Sequence, residues 1–182
     1  MGDRREILLD LSVENAHADE RMRDVRAWFR ANGLSSPDPN ASDDMYSKHP
    51  ADALGPRLRE LVPPKNHFAI SFVAGHDLYF PGGGPLGPVC RRCGTETDFD
   101  GTVPLAADWL ASRLEPSLTC PNCDWHALWG DWDISASLAV CSFAVIFGDV
   151  YLEPDIRALA ADLQDQLQAE LGGRWRLMHF HD

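Results

Sequence analysis

The sequence predicts an α+β fold on three observations. Two apolar runs of strand type are each followed by a stretch with helical periodicity, four of the five cysteines fall into two Cys-x-x-Cys pairs in mid-chain, and the chain closes on another strand-like run. At 182 residues and 45% hydrophobic content, it can bury one good core and carry a small satellite, which predicts one unit with an insertion and not two full-sized domains.

Ile7 to Val13 is rich in branched apolar residues and stops at polar Glu14 and Asn15, so it reads as a buried first strand. From Ala18, Met22, Val25 and Phe29 recur at helical spacing, with Asn15 as the expected N-cap and Asn32-Gly33 as the stop. Residues 35 to 66 hold six of the thirteen prolines and predict a long exposed connection, regular only in a short helix around Arg57 to Leu61. His67 to Ala74 gives a second strand, with Phe68, Ile70 and Phe72 on one face and Gly75-His76-Asp77 ending it.

Pro81-Gly82-Gly83-Gly84-Pro85 reads as a linker, because no Lys-Ser/Thr follows the glycines and no helix can start among those prolines. Beyond the cysteines, Ile134 to Phe147 predicts a long strand, ended at Gly148-Asp149. Pro154 then opens a helix in which Ile156, Leu159, Ala160, Leu163, Leu167 and Leu171 share one face, and Gly172-Gly173 closes it. Residues 174 to 181 make a last strand, with Trp175, Leu177 and His179 on one face and Met178 and Phe180 on the other. Strand, helix, strand, cysteine region, strand, helix, strand is the order of a ferredoxin-like split βαβ sandwich, with both helices on one face of a mixed sheet. The expected division is an α/β sandwich from 1–80 plus 133–182, with a metal-binding module inserted at 86–132.

Cys90-Arg91-Arg92-Cys93-Gly94 and Cys120-Pro121-Asn122-Cys123 are separated by 26 residues. Zinc takes four ligands at tetrahedral corners, and each Cys-x-x-Cys turn delivers two sulfurs to adjacent corners. Gly94 suits a turn of positive φ, and Pro121 stiffens its own. The two turns resemble the knuckles of zinc-ribbon proteins over about Val89 to Trp129; the resemblance implies structural Zn²⁺ held by Cys90, Cys93, Cys120 and Cys123. The separation departs from the shortest ribbons, because it holds an expected helix over Leu105 to Leu114. A four-thiolate iron site and a redox dithiol are the weaker alternatives, and catalytic zinc is weaker again, since four thiolates leave no position for water. His126, three residues past Cys123, reads as exposed or as a neighbour of the shell. Cys141 reads as a small buried hydrophobe.

Trp125, Trp129 and Trp132 lie among acidic residues, which favours packing over base stacking. Other acid–base groups are His17 with Asp19 and Glu20, His76 with Asp77, and His179 with His181, none of them in a known catalytic motif. No apolar run approaches the ~20 residues that span a bilayer, and the opening residues lack a signal-peptide core, so the expectation is a soluble cytoplasmic protein. A net charge of −12 opposes binding to nucleic acid or anionic lipid and favours a protein partner with a basic face. The leading expectation is therefore a non-enzymatic zinc-binding protein, of the inhibitor or toxin-neutralising (immunity) kind. Two others stand beside it: an enzyme whose site lies between the 35–66 connection and the sheet, and a nucleic-acid-binding ribbon relying on Arg91 and Arg92. Oligomeric state is not legible in the sequence.

Overall fold

The computed structural model describes residues 4–38, 40, 49–60, 69–148 and 155–181. The elements run β1 (Arg4–Asp10), α1 (Ala18–Ala31), β2 (Ser35–Pro37), β3 (Asp52–Leu54), α2 (Pro56–Arg59), β4 (Ala69–Tyr79), α3 (Phe99–Ser112), β5 (Ser117–Thr119), β6 (His126–Leu128), β7 (Ala139–Phe147), α4 (Asp155–Leu171) and β8 (Trp175–His181). Six strands form one sheet in the order β2-β3-β4-β7-β1-β8, and β5 and β6 form a separate ribbon. All the pairings within the large sheet are antiparallel, which corrects the expected mixed sheet. The reason is spatial: β1 and β4 run the same way but β7 lies between them, and β7 and β8 run the same way with β1 between them.

Alternation along the strands divides the core in two. Leu8, Phe72, Phe143, Val145 and Phe147 face α1 and α4, whose Met22, Val25, Phe29, Leu163 and Leu167 complete one cluster. Ile7, Leu9, Ala144, Ile146, Met178 and Phe180 face the opposite way and pack with Trp109, Trp129, Trp132, Cys90 and Cys120. All nine residues of β7 are buried, as a strand covered on both faces requires. The segment between β4 and β7 thus shares a core with the sheet. The two outer helices are also tied together, since Trp28 Nε1 donates to Glu170 at 2.7 Å.

Several expectations are corrected in detail. Strand β1 stops at Asp10 and not Val13, because the buried Asp10 carboxylate accepts from the Ser12 amide at 3.2 Å and the Arg174 amide at 3.0 Å and turns the chain. Asn15 does not cap α1; a 3-10 turn over Asn15–His17 precedes the helix, and His17 stands at the cap. The 35–66 connection is no bare loop, for β2 and β3 add to the sheet and Asp52 anchors them. Buried Asp52 receives Arg26 at 2.8 Å, Arg30 at 2.7 Å and Ser35 at 2.8 Å. Desolvation alone would raise its carboxyl, but those hydrogen bonds outweigh it and hold the group below its ordinary range. The short helix expected around Arg57 to Leu61 is α2, while Leu61, His67 and Phe68 lie outside the described residues.

Strand β4 runs through the expected stop: its register shifts between Ala74 and Asp77, a bulge centred on Gly75 at φ 141°, and pairing resumes to Tyr79. The expected strand from Ile134 begins only at Ala139, because Ser137 N bonds Ile134 O in a turn. Helix α3 starts at Phe99, where Asp98 caps it by accepting from Gly101 N at 2.9 Å; Leu114 lies beyond its end and is 75% exposed. Gly82 at φ 79° touches β8 so closely that an added Cβ would stand 1.9 Å from the His181 carbonyl oxygen. Among the described residues no helix is long and apolar enough to cross a membrane.

Candidate metal centre

The two Cys-x-x-Cys turns have the same backbone. Gly94 N bonds Cys90 O at 2.8 Å and Asp124 N bonds Cys120 O at 3.1 Å; Cys90 N bonds Thr95 O and Cys120 N bonds Trp125 O, both at 2.8 Å. Gly94 takes φ 76° as expected, and Asp124, at the equivalent place, takes φ 55°. An aspartate tolerates that conformation better than most side chains, which is why a second glycine is not needed. Val89 bridges to Glu96 and to Asp133, and β5 pairs with β6, so both turns are held at the ends of short hairpin-like pieces.

These turns bring the Sγ atoms of Cys90, Cys93, Cys120 and Cys123 within 4.8 Å of one another. Cys90 and Cys123 are 3.7 Å apart and Cys93 and Cys120 3.5 Å. Four sulfurs at ~2.3 Å from a common ion define a tetrahedron with edges of about 3.8 Å, so the cluster fits a metal of zinc's size. Cys90 and Cys120 are buried against the sheet, whereas Cys93 is exposed and Cys123 half-buried. Hydrogen bonds from Thr95, then Asn122, bring the Cys93 thiol down to about 5. The Trp125 amide acts the same way on Cys123, but desolvation and the other three sulfurs push that thiol up to about 12. Crowded sulfurs resist joint ionisation, and a divalent cation among them is the charge that allows it.

His126 is exposed and pairs with the Thr119 hydroxyl at 2.9 Å, so it stands outside the sulfur cluster. Trp129 and Trp132 are fully buried; Trp109 packs on Trp129 at 5.9 Å and Trp125 on Trp132 at 5.4 Å. Burial pushes the Cys141 thiol up, in keeping with an inert hydrophobe. Arg91 and Arg92 are exposed on the first turn.

The other candidate groups are dispersed. His17 lies 3.8 Å from Glu14 on the surface. His179 shares a face with Trp175 and Leu177 and bonds Glu6 directly across the strand pair, a carboxylate partner that spacing along the chain does not reveal. Among the described residues the four cysteines are the one group of three or more such side chains close enough to share a metal, and His179 and His181 are not part of such a group. A cavity of about 390 Å³ beyond β1 takes in His76, and a neighbouring one of about 360 Å³ takes in His17; neither includes a residue of the 35–66 connection. Sequence reasoning missed the pairing of His76 with Ser142, at 3.1 Å, which depends on the bulge.

Comparison with known proteins gave no match: no family model fits the chain, and no curated protein or solved structure is significantly similar.

Proposed function

We propose that this is a non-enzymatic zinc-binding protein in which Cys90, Cys93, Cys120 and Cys123 hold one structural Zn²⁺. The convergence of four sulfurs from two like turns carries the reading. Four thiolates close the shell, so the ion's role is to hold residues 86–132 as a zinc-ribbon-like module against the sheet. The rest, 1–80 plus 133–182, is a ferredoxin-like split βαβ sandwich on this reading, which is supported by the antiparallel order of β8, β1, β7 and β4.

The module's outer surface presents a protein-binding face, and the net charge of −12 favours a basic partner, as for an inhibitor or immunity protein acting in the cytoplasm. Nucleic acid is disfavoured by the same charge, with Arg91 and Arg92 as the only basic pair on the turns. Among the described residues, neither of the two cavities above unites two histidines with a free carboxylate, which weighs against the enzyme reading. Elemental analysis of chelator-free protein tests the metal and should return one zinc per chain. Capture of partners at low and high salt tests the rest: a tight complex with a basic protein that weakens with salt is expected. Absence of metal overturns the centre, and failure to retain any basic protein overturns the partner role.

A further inference from the structure

The 390 Å³ cavity falls within the ~300–1,000 Å³ range of small-molecule sites and is built from four separate parts of the fold. The 3-10 turn before α1 supplies Asn15, the β4 bulge supplies His76, the start of β7 supplies Val140 and Ser142, and the end of α3 supplies Trp109 and Arg113. Bulges re-aim side chains, and this one sets His76 beside Ser142. The His76 amide donates to Asn15 Oδ1 at 3.0 Å, and its ring Nδ1 meets the buried Ser142 hydroxyl at 3.1 Å. Nε2 has under 1 Å² of accessible surface and no hydrogen-bond partner. The imidazole thus lines the cavity as a ring held by Ser142, with Nε2 closed off from the open space.

The second observation is independent. Arg113 closes α3 in the left-handed conformation, at φ 62°, and among the described residues its side chain has neither an ion pair nor a hydrogen bond. The nearest carboxylate in sequence that also lines the cavity, Glu115, is already engaged by Arg174 and by the Gly130 amide. The Asn15 amide nitrogen likewise has no acceptor among the described residues. Glu14, the remaining carboxylate on the rim, is 81% exposed and lies beside His17. The uncommitted groups of the cavity are thus mainly donors, one of them cationic, set against an apolar wall of Trp109 and Val140.

We propose that this cavity binds a small organic carboxylate, its anionic end held by Arg113 with the Asn15 amide donating, and its apolar body against Trp109, Val140 and the His76 ring. Ser142 is a positioning residue that fixes the imidazole. Binding involves no covalent step.

The test is titration of the whole chain, purified without chelator, with butyrate and benzoate, and with butyramide and butylamine as neutral and cationic controls, followed by calorimetry and ¹⁵N spectra of the histidine rings. Saturable carboxylate binding is expected, at least tenfold tighter than the amide, with a shift of the His76 resonance. Arg113→Gln, at an exposed position where folding is not at stake, should weaken it about tenfold, and Ser142→Ala should diminish the His76 shift. The proposal is overturned if no carboxylate saturates, if amide or amine binds as well as the acid, or if Arg113→Gln leaves affinity unchanged.

Discussion

Replacing Cys93 by serine separates metal binding from packing, because Cys93 is the exposed member of the four whereas Cys90 and Cys120 belong to the core. Structural zinc in small modules is bound with an apparent ~10–16 kcal/mol, so an even share per thiolate is ~2.5–4 kcal/mol. At 1.4 kcal/mol per tenfold, Cys93→Ser should lower zinc affinity by roughly 10²–10³. Competition against chromogenic chelators of graded affinity measures that number directly. The far-UV spectrum should stay close to that of the parent while zinc is saturating, and the fluorescence of Trp125 and Trp132, packed at 5.4 Å beside the second turn, should report its loss. Cys141→Ala is the control, since Cys141 is a buried thiol on β7 outside the sulfur cluster. An affinity for zinc within threefold of the parent in Cys93→Ser, or an equal loss in Cys141→Ala, would refute a four-sulfur centre.

Two further outcomes concern the scaffold. Asp52→Asn leaves Arg26 and Arg30 without their carboxylate and should cost about 3 kcal/mol, or ~6–12 °C in Tm, by thermal denaturation at pH 7. The Asp52 carboxyl is held below its ordinary range, so its contribution is complete above an unfolded value near ~4 and fades as pH drops through the folded one. The gap between parent and variant should therefore narrow below about pH 4, and a constant gap would contradict the assignment. Gly82→Ala places a methyl 1.9 Å from the His181 carbonyl oxygen at a positive φ and should cost about 1–3 kcal/mol in urea unfolding, where an unchanged midpoint would show that the β8 contact is dispensable.

What the sequence disclosed and what it withheld divide along one physical line. Met22, Val25 and Phe29 of α1, the apolar run of β7 and the two cysteine pairs are local patterns, and each reappears in the fold as a helix face, a doubly covered strand and a sulfur cluster. The additions to the sheet edge were hidden because β2 and β3 are three residues each and owe their place to an aspartate clamped by arginines 22 and 26 residues away. Likewise the β4 bulge turns on one glycine, indistinguishable in sequence from the strand stop that Gly75-His76-Asp77 resembles. The helix expected over Leu105 to Leu114 left out Phe99 to Pro104, a stretch that Asp98 starts and the proline does not end. In the site, the sulfurs were legible from spacing, whereas Asp124 in the left-handed conformation and the His76–Ser142 pair were not, because they depend on contacts between distant segments.

The sheet itself bears on what a metal at the four sulfurs would do. A strand buried on both faces needs a cover on each, and α1 and α4 provide only one. The second cover is a stretch whose own regular elements are α3 and two three-residue strands, too little to fold as an independent core. Its large residues, Trp109, Trp129 and Trp132, pack instead on Ile146, Met178 and Val140, in the same cluster as Cys90 and Cys120. An ion at the four sulfurs would link the two turns, close the long excursion between β4 and β7 and press those rings onto the sheet, so on the proposed reading metal affinity and sheet stability draw on the same contacts. Loss of the ion should then expose the Ile7, Leu9 and Ile146 face before it disturbs the α1 and α4 side.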